Sequence, residues 1–186
     1  AGFTVGVWIV PFYREAFPGS IGAEFALIKA AVNGVAGSLS ATGGGVLADR
    51  LGARDPRYKL WVPAVGSLLA IPCWLGTLYA PSLELSLGAL FLEYAVAECW
   101  FGPTVAGLQS AAPPRAMGLT TGVFSGLTFV GNLAPYFIGL AISGGEFELT
   151  PLLAWSVPIL YAASAVAFVA ASQVGQAERE AARDVK

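Results

Sequence analysis

The charged residues of this chain are spaced so that long apolar stretches lie between them. Four long stretches contain no Asp, Glu, Lys or Arg, at residues 30–48, 60–83, 116–145 and 149–177. Each stretch approaches or exceeds the roughly 20 residues that a helix needs to cross a bilayer. Strand-like alternation is absent, and the stretches are too long for the strands of a membrane barrel. The pattern therefore predicts membrane-spanning helices.

Two weaker apolar stretches complete the pattern. Residues 85–114 are interrupted by two glutamates, and residues 1–13 open the chain without an initiator Met or the features of a signal peptide. We therefore expect a fragment that begins inside a helix, with a transmembrane bundle over 1–175 and a polar cytoplasmic tail at 176–186. The predicted elements are a stub at 1–17 and helices at 21–49, 59–80, 84–112, 115–143 and 150–175.

The composition agrees with a membrane protein. Hydrophobic residues make up 56% of the chain and charged residues 12%, and the mean hydropathy is +0.68. A soluble domain needs more charge on its surface, and a disordered chain has far less apolar content. The net charge of −2 without a basic stripe argues against a nucleic-acid partner. The lipid bilayer is the partner that this composition indicates.

Metal and cofactor chemistry find little support in the sequence. His is absent, and the two cysteines are widely spaced within apolar stretches. This composition excludes the common zinc arrangements, and we interpret Cys73 and Cys99 as buried small apolar residues. We expect no metal ion, no cofactor and no catalytic residues.

The basic residues predict the orientation. Loop 50–59 carries four Lys or Arg residues, the turn near Arg115 carries one, and the tail carries three, so eight of the ten lie on one side if the helices alternate. The positive-inside rule makes that side cytoplasmic. We therefore expect a multi-pass membrane protein with loop 50–59 and the tail in the cytoplasm.

One loop between two predicted helices has a specific pattern. The segment Gly45-Val-Leu-Ala-Asp49-Arg50-Leu-Gly52-Ala-Arg54 reads G-x-x-x-D-R-x-G-x-R. Gly45 allows close approach of a neighbouring helix, and Asp49 accepts hydrogen bonds at the membrane interface. We expect Gly52 to permit a tight reversal, and Arg50 and Arg54 to contact lipid headgroups or Asp49. The alternative is an ordinary positive-inside loop with a helix-stopping glycine.

This loop resembles the signature loop of the major facilitator superfamily. Asp55-Pro-Arg57 with the following Trp61-Val-Pro-Ala, Trp100-Phe-Gly-Pro103, and Gly131-Asn-Leu-Ala-Pro-Tyr-Phe-Ile-Gly139 are similar to the spinster-like branch. The resemblance covers residues 44 to 139, and Ala53 stands where the family commonly has a basic residue. It implies an all-α membrane protein, half of a twelve-helix bundle built from two three-helix inverted repeats. A missing N-terminal six-helix half is then the expected partner, and the first helix of this half is truncated.

A faint internal repeat is also consistent with two three-helix units. Trp61-Val-Pro63 and Trp155-Ser-Val-Pro158 are separated by about half of the chain. Two three-helix units would give this spacing, with the second inverted. Interfacial anchoring of both Trp-Pro pairs is the alternative, and for this feature alone coincidence is the simpler explanation.

Small residues and prolines mark the predicted spans. Prolines 72, 103 and 135 each remove a backbone donor and can kink a helix. Small residues at four-residue spacing allow close helix packing, either static or in helices that rock against each other. The two small-residue series are Gly37, Ala41 and Gly45, and Gly118, Gly122 and Gly126.

Charges inside the predicted spans are the strongest site candidates. A charge at the bilayer centre costs roughly 2.5–3.5 kcal/mol on insertion scales, so it normally faces a cavity or a partner. Glu98 is the deepest, and we expect it to carry a coupling proton or to pair with a cation. Glu93, five residues earlier, lies about 140° around the helix and should face elsewhere. Lys29 shares a face with Asn33, or extends to the interface instead.

Three further residues are candidates for substrate contact. Asn132 and Tyr136 share a helix face beside Pro135 and offer hydrogen bonds to a polar group, or merely bridge helices. Trp100 could form an apolar wall next to Glu98, although aromatic residues in a bundle are more often core.

The leading functional hypothesis is a secondary active transporter that moves a small organic or lipid-like solute by alternating access. The resemblance implies lysolipids or sphingoid lipids for the spinster-like branch, and organic anions or sugars for wider relatives, and protons are a candidate coupling ion. The alternatives are a non-transporting membrane scaffold or an inactive truncated product, and then a membrane-embedded enzyme. The enzyme finds the least support because no convergent set of reactive groups is visible.

Overall fold

The fold is all-helical over the residues described by the computed structural model, which are 1–145 and 147–184. No β-strand occurs in that part of the chain. Its helices are α1 (Gly2–Ala16), α2 (Ala23–Gly52), α3 (Tyr58–Tyr79), α4 (Leu83–Ala97), α5 (Phe101–Ala111), α6 (Met117–Gly131), α7 (Ala134–Ser143) and α8 (Leu149–Asp184).

Five helical segments are long and apolar enough to cross a membrane. The third of them combines α4 with most of α5, and the fourth combines α6 with α7. This all-α arrangement with a short additional helix, α1, is consistent with a half-bundle of the major facilitator type. The five segments are Ala23–Gly52, Tyr58–Tyr79, Leu83–Gln109, Met117–Ser143 and Leu149–Val174.

Two spans that the sequence predicts as continuous helices are interrupted. A 3₁₀ turn at Glu98–Trp100 separates α4 from α5, and Asn132–Leu133 separates α6 from α7. Each break lies a few residues before a proline, Pro103 or Pro135, whose ring crowds the carbonyl four residues earlier and offers it no N–H. Pro72 lies inside α3 without interrupting it.

The helix ends differ from the predicted boundaries in two places. The span predicted at 21–49 continues to Gly52, so Asp49 lies inside the last turn of α2. The helix predicted at 150–175 continues through the predicted tail to Asp184. Residues 185 and 186 of that tail lie outside the described residues, as does Glu146.

Helix α3 is central and packs extensively against α8 and α4. The Trp74 indole N–H donates to the carbonyl of Leu153 at 3.1 Å, and the Trp61 indole N–H donates to the hydroxyl of Ser172 at 3.2 Å. The later residue of α3 thus meets the earlier residue of α8, so the two helices run antiparallel. The Trp61–Trp155 similarity does not extend to environment, because Trp155 is 74% exposed.

The two predicted three-helix units contact each other through several pairs of helices. One unit is α1, α2 and α3, and the other is α4–α5, α6–α7 and α8. The first helix of one unit contacts the second helix of the other in both directions, as α1 with α7 and α2 with α4 and α5. The third helices, α3 and α8, contact each other. Helix α3 also packs against α4, and α2 packs against α3 within the first unit.

Cys99 packs closely against both α2 and α3. A Cβ atom placed on Gly44 of α2 would lie 2.3 Å from the Cys99 Cβ, and one on Gly66 of α3 would lie 2.5 Å from the Cys99 Sγ. Both positions therefore require glycine for the 3₁₀ turn to pack between α2 and α3. Cys99 is buried, as the sequence indicated, while Cys73 is half-buried; both are free thiols.

Candidate substrate cavity

A cavity of ≈ 550 Å³ lies within the bundle, beside the two helix breaks. Residues of the 3₁₀ turn form one wall, and Gly131 and Asn132 at the α6–α7 break form another. The start of α1 and the middles of α2, α3 and α8 form the rest of the cavity wall. Its polar lining side chains are Asn33, Ser67, Tyr94, Glu98, Thr128, Asn132, Tyr161 and Ser164.

The helix breaks explain why this region is polar. Pro103 and Pro135 cannot donate to the carbonyls of Cys99 and Gly131, so irregular backbone lies at the level of the membrane spans. Such backbone is tolerated in a membrane where it is buried in protein or lines a watery cavity. The two proline-associated breaks therefore lie beside the cavity, where irregular backbone can be tolerated.

Glu98 projects from the 3₁₀ turn into a gap between α1 and α2. Its carboxylate Oε1 lies 2.9 Å from where a Cβ on Gly2 would be, and its Cγ lies 4.0 Å from the corresponding position on Gly37. The Trp100 side chain lies close to this carboxylate. Gly2 thus leaves room for a half-buried acidic group at the cavity wall, and Gly37 lies at ordinary contact distance from it.

Glu93 is fully buried behind the cavity wall. Its Oε1 accepts a hydrogen bond from the hydroxyl of Tyr161, which itself lines the cavity. Its Oε2 has no hydrogen-bond partner. The carboxyl groups of Glu93 and Glu98 are near enough to interact electrostatically. A carboxyl group this deep is expensive unless it is neutral or faces a cation.

Tyr94 adds a second unpartnered group. It lines the cavity, only 3% of it is exposed, and its hydroxyl has no hydrogen-bond partner. Because nearly all buried hydroxyl groups in proteins are hydrogen-bonded, this group is available to a ligand or a water molecule.

The positions of the predicted candidates divide into three groups. Glu98, Trp100, Asn33 and Asn132 line the cavity. Glu93 does not line it and reaches it only through Tyr161, so the two glutamates occupy different positions around one site.

Besides Glu93, two further candidates do not line the cavity. Lys29 is half-buried on α2, and Tyr136 is 62% exposed with its ring edge-on to Phe137. The helix break lies between Asn132 and Tyr136, and of these two residues Asn132 lines the cavity.

The sequence reasoning missed several lining residues. Tyr94 is four residues before Glu98, a spacing that places both on one helix face. Tyr161, Ser164 and Phe168 recur at helical spacing along α8 and all line the cavity. A search for polar and aromatic residues at helical spacing within the spans would have found both sets.

The predicted role of one residue in the signature loop, Gly52, differs from its position in the structure. Gly52 does not make the reversal, because it lies within α2 and its backbone is not in the left-handed region. It packs instead against the Lys59 side chain, since a Cβ there would lie 2.5 Å from the Cγ of Lys59 and that side chain would have to move. Gly45 is approached by Gly102, whose added Cβ would lie 3.8 Å from the Gly45 Cα.

Three charged residues of the loop are exposed to solvent, namely Asp49, Arg50 and Arg54. Within the described residues, the ion pair of this loop joins Arg57 to Asp55 at 3.1 Å. Asp55 also accepts from the backbone N–H of Arg57 at 2.9 Å. The Asp-Pro-Arg segment therefore stabilises the turn between α2 and α3.

The structure is a multi-span helical bundle with a polar internal cavity, and comparison with known proteins narrows the class of protein further. No protein-family model matches the chain, and no solved structure gives a match. The chain is 30% identical over 123 residues to an MFS-type efflux pump of Mycolicibacterium smegmatis. The aligned region is 66% of this chain and 28% of that protein, so the chain spans well under half of its relative.

This similarity supports assigning the chain to the major facilitator superfamily. Together with the five apolar helices, it supports a multi-pass integral membrane protein and membrane transport in general. It favours a transporter over an enzyme. In the described residues, no three His, Cys, Asp or Glu side chains are grouped as metal ligands.

Proposed function

We propose that this chain is the C-terminal six-helix half of a spinster-like member of the major facilitator superfamily. The complete protein is a secondary active transporter that moves a small organic or lipid-like solute by alternating access. The main support is the cavity with its polar lining beside two proline-induced helix breaks. Broken helices at membrane depth are where transporters of several folds bind their substrates.

The partner in this proposal is a second six-helix half. None of the residues of α6 is buried, and a Cβ on Gly118, Gly122 or Gly126 would meet no atom within 4 Å. By contrast, the series of small residues on α2 packs against residues 98 to 102. A membrane helix with an open series of glycines is suited to close packing against another helix. A half-bundle does not enclose a transport path by itself, so transport belongs to the complete assembly.

The proposed orientation places loop 50–59 and the C-terminal tail in the cytoplasm. Protons are the proposed coupling ion and Glu98 the proposed coupling residue, because its carboxyl group faces the cavity between α1 and α2. Asn33, Asn132 and Trp100 are proposed to contact the solute, and Glu93 to act through Tyr161.

Transport by the whole protein, as its gene encodes it, tests this proposal. Labelled lysolipids, sphingoid bases, organic ions and sugars are each added to reconstituted vesicles, and solute uptake is measured with and without an imposed proton gradient. We expect at least one solute to accumulate against its concentration gradient. Glu98→Gln should abolish this accumulation or make it independent of the proton gradient.

Glu24→Gln is the matched control, because Glu24 is exposed at the start of α2. It should retain wild-type accumulation. Proton-driven accumulation at the wild-type rate by Glu98→Gln would eliminate Glu98 as the coupling residue. No movement of any solute by the wild-type protein would argue for a scaffold.

A further inference from the structure

Helix α7 joins the bundle through one of its faces. Pro135 and Ile138 are buried and Ile142 packs against the core, while Tyr136 and Phe137 are exposed. Residues three or four positions apart lie on the same side of a helix, so the three inward residues form a single stripe. Helix α1 is the neighbour against which α7 packs.

Trp8 of α1 covers the beginning of that stripe. Its indole N–H donates to the carbonyl of Pro135 at 3.2 Å. A Cβ placed on Gly139 would lie 3.4 Å from the Trp8 Cζ2 atom, so the ring lies against Gly139 as well. Pro135 and Gly139 are four residues apart and share a helix face. One half-buried side chain thus holds the first turns of α7 both by a hydrogen bond and by ring contact.

Helix α1 is itself fixed to α3 and α4. The hydroxyls of Tyr13 and Ser86 share a hydrogen bond of 3.1 Å, and the Ser86 hydroxyl donates to the carbonyl of Thr77 at 2.6 Å. That carbonyl has no helical donor because Pro81, four residues later, lacks an N–H. Tyr13, Ser86 and Thr77 are all buried. Trp8 therefore connects α7 to a helix whose own position is set by other contacts.

The Trp8 contact lies directly beside the break between α6 and α7. Asn132, which lines the cavity, is three residues before Pro135. Residues 132 and 133 lie between the two helices rather than within either of them. Without a continuous helical ladder, the direction of the Asn132 side chain depends on how α7 is held at its start.

We propose that Trp8 is a positioning residue for solute binding: by holding Pro135 and Gly139, it fixes the helix break in the orientation that presents Asn132 to the cavity. This inference rests on the proposed transport function, in which Asn132 contacts the solute. Trp8 does not itself line the cavity. Its loss therefore weakens solute binding through Asn132 and leaves the later steps of transport unchanged.

Hydrogen exchange tests the positioning step without any solute. Trp8→Phe keeps an aromatic ring and removes the N–H, and exchange in the purified whole protein is followed by mass spectrometry. We expect residues 132–139 to exchange about twofold to tenfold faster, as the loss of one hydrogen bond predicts, while α3 and α8 keep the wild-type rate. Trp155→Phe, at an exposed position, is the control and should match the wild type throughout. Unchanged exchange over 132–139, or equal acceleration along the whole chain, would overturn the proposal.

Uptake kinetics test the consequence for the solute that the vesicle assay identifies. Trp8→Phe should raise KM about twofold to tenfold and keep Vmax within about twofold, because it weakens binding without reducing the number of working molecules. A merely structural role would instead lower Vmax at the wild-type KM, because fewer molecules would be folded. A wild-type KM in this variant, even with faster exchange over 132–139, would overturn the proposal.

Two substitutions at Gly139 alter the same contact from α7. The methyl group of Gly139→Ala would lie at ordinary contact distance from the indole, whereas the branched side chain of Gly139→Leu would displace the ring. Gly139→Leu should therefore raise KM more than Gly139→Ala does. Adding Trp8→Phe to Gly139→Leu should change KM little further, because both remove one contact. Equal KM values for the two Gly139 variants would contradict the proposal, and this comparison remains decisive if Trp8→Phe does not fold.

The two measurements separate this inference from the transport proposal. If vesicles accumulate a solute and Trp8→Phe changes neither exchange nor KM, the transport function stands and the role of Trp8 is wrong. If exchange over 132–139 accelerates as expected while the wild-type protein moves no solute, Trp8 holds the break and the transport function is wrong.

Discussion

At the scale of single residues, the hydrogen bond from Tyr161 to Glu93 joins α8 to α4 inside the bundle. Glu93 is fully buried. One of its carboxyl oxygens accepts this hydrogen bond, and the other has no hydrogen-bond partner. The hydrogen bonding of this buried carboxyl group therefore depends on a single phenolic hydroxyl group.

Tyr161→Phe should lower the free energy of unfolding by about 1 to 3 kcal/mol, because it leaves a buried carboxyl group with neither oxygen hydrogen-bonded. Thermal unfolding of the detergent-solubilised protein measures the change. Tyr136→Phe removes the same hydroxyl from an exposed tyrosine and should have no effect. Equal midpoints for the two variants would show that the bond contributes nothing.

Gly44→Ala should also destabilise the protein, by about 1 to 3 kcal/mol, because the new methyl group would overlap the Cβ and the backbone Cα of Cys99. The control is Gly43→Ala, where nothing lies within 4 Å and alanine improves helix propensity by up to about 1 kcal/mol. The same unfolding measurement distinguishes them. A Gly44→Ala protein as stable as Gly43→Ala would mean that the helices crossing at Cys99 separate easily.

The sequence revealed some of these residues and concealed others. Glu93 and Glu98 were visible because charges are rare in apolar spans. The role of Gly44 was not, because many glycines occur in these helices and only the position of Cys99 distinguishes them. Tyr161 looked like one aromatic residue of an apolar span until its partner on α4 was known.

At the scale of the helices, the antiparallel pair α3 and α8 is the main packing unit. The indole N–H of Trp74 donates to the carbonyl of Leu153, and the Trp74 side chain is fully buried. Trp74→Phe should therefore lower the midpoint temperature, with a loss of about 1 to 3 kcal/mol from the missing bond and the smaller ring.

Trp155→Phe is the matched control for that variant, because Trp155 is on α8 and is exposed. Its unfolding midpoint should equal that of the wild type. If Trp74→Phe unfolded at the wild-type midpoint as well, the α3–α8 pair would have to be held by other contacts.

Spacing of charges was enough to predict how many spans there are and roughly where they lie. It was not enough to predict which prolines interrupt them. Pro72 remains within a continuous helix, while a break precedes both Pro103 and Pro135. The difference depends on which neighbouring groups can accommodate the displaced backbone, and that is a property of the packed bundle.

At the scale of the whole molecule, the proposed orientation gives a direct labelling experiment. Ala53→Cys and Phe147→Cys place thiols at exposed positions in loops at opposite ends of the bundle. In intact cells, a membrane-impermeant maleimide should label Phe147→Cys and not Ala53→Cys, with the wild type giving the background from Cys73 and Cys99.

Inside-out vesicles should show the reverse, with labelling of Ala53→Cys alone. The opposite result in both preparations would reverse the orientation and contradict the use of the positive-inside rule here. Labelling of both variants from one side would contradict an odd number of crossings between the two loops.

Trp100 gives the cavity an intrinsic optical reporter. It is one of five tryptophans in the chain and the one that lines the cavity. Its emission should shift in wavelength or be quenched when a solute displaces water from the indole ring, without any attached dye. Occupancy can therefore be followed in real time once the fluorescence of the other four indoles is subtracted.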